Sequence, residues 1–438
     1  MTEKTFTRRE VLKQGAVAAG TATLSAWLPR KTWAAKPRIT VWTIGFFNPK
    51  ADEIVQQQFA EFAKQANAEV NVVIVPGPQI TRKLQTAVEG GAPPDLSMIY
   101  DADTQYYRSI GQLHEVTDIV GEMKKEPEGL FPPSLVAVEH EGKAFGVPLT
   151  LSPWPLHWRK DLLEQAGLDY PKDIFEFVEV CKKVQKPPYL YGAGFCLGRA
   201  LDGSDNIQNL LWLFGGWMTK DEQTLTIDSP GTIEGLKFIN KMYNEDKIIP
   251  PGAIGWDDSG NNKAYQSKQA AFICNPTSVY SYLSINDPDL MGKTGLSPIP
   301  PGPAGSYSLI DTWAYGAFTK TKELNLVKDA IMWMMQPDRY AQLIEGAGGR
   351  AVPVYRRLTK DPFWQERPVF NEFLKMPEYG FTVGAKSPPT PATAEVVDSF
   401  ILSDMVQEVL VRGVDPAEAA KKAQERAQAI FDRHYKRG

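Results

Sequence analysis

The sequence predicts an α/β fold in two lobes, and three observations carry that expectation. A chain of 438 residues exceeds the size at which a single hydrophobic core stops growing, so two cores are expected from length alone. Between residues 39 and 100, short apolar strands alternate with amphipathic helices, the pattern of a parallel sheet covered on both faces. A less regular version of the same alternation recurs between residues 156 and 300.

Element by element, Ile39-Thr40-Val41-Trp42-Thr43-Ile44 is β-branched and short enough for a buried strand. Val55, Phe59, Phe62 and Ala66 then recur at helical spacing on one face, leaving Gln56, Gln57, Glu61 and Lys64 to water. Residues 70–75 read as a second strand, 80–88 as a helix and 96–100 as a third strand. Pro76-Gly77-Pro78, Gly90-Gly91 and Pro93-Pro94 supply the breaks between them. In the second region, helices are expected over 160–166 and 175–184. Pro298-Ile299-Pro300-Pro301-Gly302-Pro303 is too rich in proline and glycine for a regular element and marks a loop or an interlobe crossing. Leu324, Val327, Ile331 and Met334 give a further amphipathic helix. The last helix opens at Asp415-Pro416-Ala417-Glu418, an N-cap followed by a first-position proline and a third-position acid, with Ala420, Ala423, Ala427 and Ile430 as its buried stripe.

Ahead of the first strand, Arg8-Arg9 and Leu12-Lys13 precede an apolar run rich in alanine and glycine, then Thr32-Trp33-Ala34. This is the order of a twin-arginine export signal, with cleavage expected after Ala34 and a periplasmic destination. Removing the six Lys/Arg and two Asp/Glu of residues 1–34 moves the formal charge from −4 to −8. An acidic chain without a Lys/Arg cluster excludes nucleic acid or an anionic membrane as the main partner. Three cysteines, Cys181, Cys196 and Cys274, form no CxxC motif and are expected as small buried residues. A monomer is expected.

Motifs for catalysis are absent. His114, His140, His157 and His434 are scattered without metal-ligand spacing, and no serine stands in a nucleophile elbow. Gly292-Lys293-Thr294 resembles the end of a phosphate-binding loop, but Asp287 occupies the place of its first glycine. The run 192–198 is one residue out of register for a dinucleotide fingerprint, so no cofactor is expected. Two acidic pairs remain. Asp101 follows a predicted strand, where the crevice of a parallel sheet lies, although it and Asp103 also suit a cap for a helix starting near Thr104. Asp257-Asp258 reads as a solvated loop beside Trp256. Tryptophans near predicted turns, Trp154, Trp158, Trp212, Trp217, Trp256 and Trp313, offer flat faces for sugar rings.

The chain resembles the family 1 extracellular solute-binding proteins of ATP-binding-cassette importers, similar to maltose- and glycerol-phosphate-binding proteins. The resemblance is carried by Gly91-Ala92-Pro93-Pro94-Asp95-Leu96, by Gly142-Lys143-Ala144-Phe145-Gly146-Val147-Pro148 and by residues 156–168. Phe214-Gly215-Gly216, Lys268-Gln269-Ala270-Ala271-Phe272 and Gly348-Gly349-Arg350-Ala351-Val352-Pro353 extend it. It implies a periplasmic-binding-protein fold with discontinuous lobes, 35–149 with 310–355 and 150–309 with 356–438, around an interlobe ligand cleft. Crossings are expected near 148–152, near 306–310 and after Tyr355. Site residues implied by position are Phe47, Asn48, Asp101, Ser152, Trp154, Asp205, Asn275 and Trp313, and the aromatic reading adds Trp217 and Trp256. Where the family often has Gly-Gly-Trp, this chain has Asp311-Thr312-Trp313.

Arg350 is the position that separates ligand classes. A guanidinium in the cleft grips a carboxylate, sulfonate or phosphate bidentately, or bridges two sugar hydroxyls, and the alternative reading is a surface arginine. The function implied is capture of a carbohydrate by lobe closure and delivery to membrane permease subunits, with no reaction catalysed and no metal. The alternatives are an anionic polyol of the glycerol-phosphate type as ligand, or, in another class, an exported glycoside hydrolase that adds two carboxylates to the aromatic platforms.

Overall fold

The computed structural model describes residues 36–435, apart from Phe47 and Gly384. The expected export segment and the candidate Phe47 lie outside the described residues. The strands are β1 (Arg38–Ile44), β2 (Glu69–Val75), β3 (Leu96–Tyr100), β4 (Glu139–His140), β5 (Lys143–Ala144), β6 (Val147–Pro153), β7 (Leu156–Arg159), β8 (Tyr191–Ala193), β9 (Ala270–Cys274), β10 (Thr294–Ser297), β11 (Ile310–Ala317) and β12 (Val352–Pro353). They form a six-stranded sheet in the order β12-β6-β11-β3-β1-β2, a four-stranded sheet in the order β10-β7-β9-β8, and the β4-β5 hairpin.

The parallel sheet expected from residues 39–100 is half of the larger one. β1 runs parallel to β2 and β3, whereas β11, β6 and β12 add on antiparallel. Both added long strands, β6 and β11, are buried along almost their whole length, so neither shows the alternation that marks a half-exposed strand. The ladder between β11 and β6 slips one residue at Trp313/Ala314, leaving Leu149 as the extra residue. Its carbonyl accepts the Tyr340 hydroxyl at 2.6 Å, which satisfies a group that the bulge would otherwise strand.

Periodicity and capping account for the helices. Asn48 caps the helix Pro49–Gln65 by accepting the Lys50 N–H at 3.1 Å, a contact worth about 1 kcal/mol. Val55, Phe59 and Phe62 of that helix pack on the large sheet with Ile39, Val41 and Met98. The final helix, Pro416–Tyr435, opens where Asp415 accepts the Ala417 N–H at 2.9 Å, and it buries the predicted alanine stripe. The helix after β3 begins at Asp101 itself, not near Thr104, with Tyr100 as its N-cap. All three cysteines are free and buried.

Two large cores result, one around each sheet. Leu151 belongs to the first and Trp154 to the second. Leu309 belongs to the second and Ile310 to the first. The third passage comes later in the chain than Tyr355. Leu358, Trp364, Phe370, Phe373 and Met376 still pack in the first core, and the chain reaches the second at Phe381. That aromatic-rich stretch buries its rings against each other, as in the Trp364–Phe370 pair at 5.2 Å, which holds it with the first sheet.

Candidate functional site

A cavity of about 120 Å³ is lined by residues from the chain segments of both sheets. From the first sheet come Tyr100 at the end of β3 and Asp311 and Trp313 at the start of β11. Trp154 follows β6 on the first passage between lobes. Asp202 and Asp205 come from the helix Leu201–Trp212, Asn275 follows β9, and Arg350 precedes β12. Local sequence explains several placements. Tyr100 and Trp313 are directly opposed on antiparallel strands, with ring centroids 5.6 Å apart. Asp311 lies two residues from Trp313 and therefore on the same strand face. Asp202 and Asp205 are three apart on a helix and share one side of it.

Arg350 is aimed by the turn that precedes it. The helix Pro337–Gly346 ends, and Gly348 and Gly349 follow at φ of +66° and +80°, where a side chain is strained. At Gly349 an added Cβ would sit 2.3 Å from the Phe370 ring. The Arg350 guanidinium donates to Ser152 Oγ at 3.2 Å, and its carbonyl accepts the Thr277 hydroxyl at 2.8 Å. A second bond of the same kind joins the Ser281 hydroxyl to the Ala347 carbonyl at 2.7 Å. Thr277 and Ser281 follow β9, so these bonds bridge the chain segments of the two sheets.

The cavity is acidic. Asp202, Asp205, Asp258 and Asp311 line it, and Arg350 is the only fixed cation among the described lining residues. Burial, reinforced by Asp258, pushes Asp202 well above the usual carboxylate range. Burial and then Asp311 and Asp202 do the same to Asp205. Asp311 is raised by burial to about 6, held there by hydrogen bonds from the Trp154 indole at 2.9 Å and the Tyr100 hydroxyl at 3.0 Å. Burial lowers Arg350 to about 10, opposed by Asp311 and Asp202. Asp258 accepts the Asp202 N–H at 3.0 Å. Glycines permit that approach, since a Cβ at Gly198 would lie 2.1 Å from the Trp256 carbonyl oxygen.

Of the residues singled out from sequence, Trp154, Asp205, Asn275, Trp313 and Arg350 line this cavity. Ser152 stands behind it, holding Arg350. Asp101 is fully buried beside the cluster, one carboxylate oxygen accepting the Ala102 N–H. Three of the expected residues do not line this cavity. Asn48 serves as a helix cap. Trp217, half-buried, packs against the second core, stacking on Trp212 at 5.5 Å and meeting Tyr307 and Phe381 edge-on. Trp256 packs under Gly260, where an added Cβ would touch its ring at 2.3 Å. Conversely, Asp258, read as a solvated loop, lines the cavity, whereas Asp257 is exposed and accepts from Ser259.

Tyr100 and Asp202 were not singled out, and Asp311 was noted only as a departure from the glycine of the family. The signal for Asp202 was its spacing from Asp205, and for Asp311 its place in front of Trp313. Among the described residues, no group of His, Cys, Asp or Glu is arranged to hold a metal ion. No helix among them is long and apolar enough to cross a membrane.

Comparison with known proteins places this geometry in context. A model of the bacterial extracellular solute-binding protein family matches residues 48–340. A protein of Brucella abortus (strain 2308), named as a binding protein, is 24% identical over 386 residues, 85% of this chain and 89% of its own. An ABC transporter solute-binding protein from Thermotoga lettingae TMO, bound with α-D-tagatose, has a similar structure. Its TM-score is 0.80 at 21% identity, covering 90% of this chain and 100% of that one. T. maritima MalE3 with bound maltose gives 0.78 at 23% identity, covering 90% and 99%. At these identities the structural likeness establishes the two-lobed fold.

Proposed function

The chain belongs to the bacterial extracellular solute-binding protein family, and on that premise we propose that it captures a small carbohydrate or sugar derivative in the cleft and delivers it to the permease subunits of an ATP-binding-cassette importer. The observation that carries this reading is the convergence of Trp154 and Trp313 with Asn275, Arg350 and the aspartates on one cavity. Indole faces take the C–H side of a sugar ring, and the polar groups take its hydroxyls. Tagatose and maltose in the two similar structures support the same class.

Each lobe contributes part of the lining, so the closed form is stabilised by contacts that only a bound solute completes. We assign residues 35–149 with 310–376 to the amino-terminal lobe, extending the sequence expectation past 355 because of the packing of 358–376. Residues 150–309 and 377–438 form the other. The protein acts as a monomer in the periplasm, exported by the twin-arginine route, and catalyses no reaction. The anionic-polyol alternative loses ground to the four lining carboxylates, which already offset Arg350.

A thermal-shift screen of the purified protein against mono- and disaccharides, polyols and their charged derivatives tests the proposal, because a ligand that binds only the native state raises the melting temperature. A shift with one sugar class is expected, together with no turnover of chromogenic glycosides. Glycoside hydrolysis above background would overturn it in favour of the hydrolase.

A further inference from the structure

We propose that the solute carries a protonated amine on a sugar or polyol frame, and that Asp202 and Asp205 hold that charge in the cleft. This rests on the solute-capture reading above and specifies the chemical class. Four carboxyl groups line the cavity against one guanidinium, so with a neutral ligand the surplus carboxyls must hold protons or stay charged without a counter-ion, whereas a cationic ligand lets them ionise. Three of the four have good partners. Asp202 accepts Asn275 Nδ2 at 3.0 Å, Asp258 accepts a backbone N–H, and Asp311 accepts from Trp154 and Tyr100.

Asp205 stands apart. It is 4% exposed and lines the cavity, yet its carboxylate has a single hydrogen-bond partner among the described residues, Gln208 Nε2, at 3.5 Å. That distance is at the limit of a hydrogen bond. A buried carboxylate is strongly disfavoured unless paired and hydrogen-bonded. A ligand bringing both charge and donors removes that penalty, whereas hydroxyls bring donors alone.

The cation is organic. A divalent metal ion needs several hard oxygen ligands converging on one point, and among the described residues no such group exists. An ammonium group needs only neighbouring carboxylates and an aromatic face within about 6 Å, and Trp154, Trp313 and Tyr100 line the same cavity.

Calorimetric titration with matched triplets tests this: D-glucose, D-glucosamine and N-acetyl-D-glucosamine, the corresponding galactose and mannose series, and D-sorbitol with its 1-amino-1-deoxy derivative. In the series that binds, the amine should be at least about tenfold tighter than its neutral and N-acetylated counterparts. Asp205→Asn should weaken amine binding by about thirtyfold, as loss of one partner of a buried charge pair does, and bring the amine-to-neutral ratio close to one. Its ligand-free melting temperature should equal or exceed that of the wild type, since the variant removes an uncompensated charge without changing shape. A neutral sugar binding as tightly as its amine overturns this inference and leaves sugar capture standing. Binding in no series overturns both. Undiminished amine binding by Asp205→Asn, or a lower melting temperature, also counts against it.

Discussion

The carboxylate of Asp311 accepts the indole N–H of Trp154 across 2.9 Å, which ties the first passage of the chain between the lobes to the second. Tyr100 donates to the other oxygen at 3.0 Å, so one aspartate gathers two other lining residues.

Replacing Trp154 with Phe removes one of these donors and keeps most of the ring. Stability should fall by about 1.5–3 kcal/mol, the range for a hydrogen bond to a charged group, measured by urea denaturation. The Trp154 bond favours the ionised carboxylate, so its loss should move the titration of Asp311 above about 6. Carboxyl carbon NMR would follow that shift.

Stability in the Asp205→Asn variant should depend on pH in a defined direction. Burial first, then Asp311 and Asp202, raise Asp205 in the folded state. Below the unfolded carboxylate value of about 4, both states are protonated and the substitution gains nothing. As pH rises, the unfolded chain loses the proton first, so the wild type loses stability relative to the variant until the raised folded value is passed. Melting temperatures of the two proteins should therefore converge near pH 4 and separate toward pH 8, the variant above.

The two tryptophan environments predict opposite phenotypes. Trp313→Ala should weaken binding of the screened solute by about thirtyfold or more with a small effect on folding, because the ring borders the cavity. Trp217→Ala should leave affinity intact and cost about 3 kcal/mol of stability, because its ring is enclosed by Trp212, Tyr307 and Phe381. Calorimetry paired with urea denaturation separates the two.

Thr277→Val combined with Ser281→Ala removes the hydroxyls that bridge to the Ala347–Arg350 turn without altering a lining side chain. At about 1 kcal/mol for each bond, solute affinity should fall roughly tenfold or more through loss of the closed form. An unchanged dissociation constant would show that these bonds persist in the open form.

Much of the fold was legible because the informative elements are amphipathic. The face of Val55, Phe59 and Phe62, the third strand and the capped last helix all follow from spacing and turn residues. β6 and β11 were not legible, because strands buried on both sides carry no period to detect. The site was half legible. Trp154, Asp205, Asn275, Trp313 and Arg350 came from family position or chemistry, and Asp311 was visible as a departure from glycine. Trp217 and Trp256 lie away from this cavity, and an indole near a turn has the same sequence signature whether it faces a cavity or another ring. Asp258 was hidden for a related reason, since its neighbour Asp257 is the solvated loop residue that the pair was expected to be.

The central claim is capture without chemistry, and calorimetric titration of the best solute from the screen, followed by mass spectrometry of the recovered solute, tests it most directly. Saturable binding of one solute per protein, with the solute returned unaltered, is the predicted result. A solute recovered cleaved or modified would contradict the account.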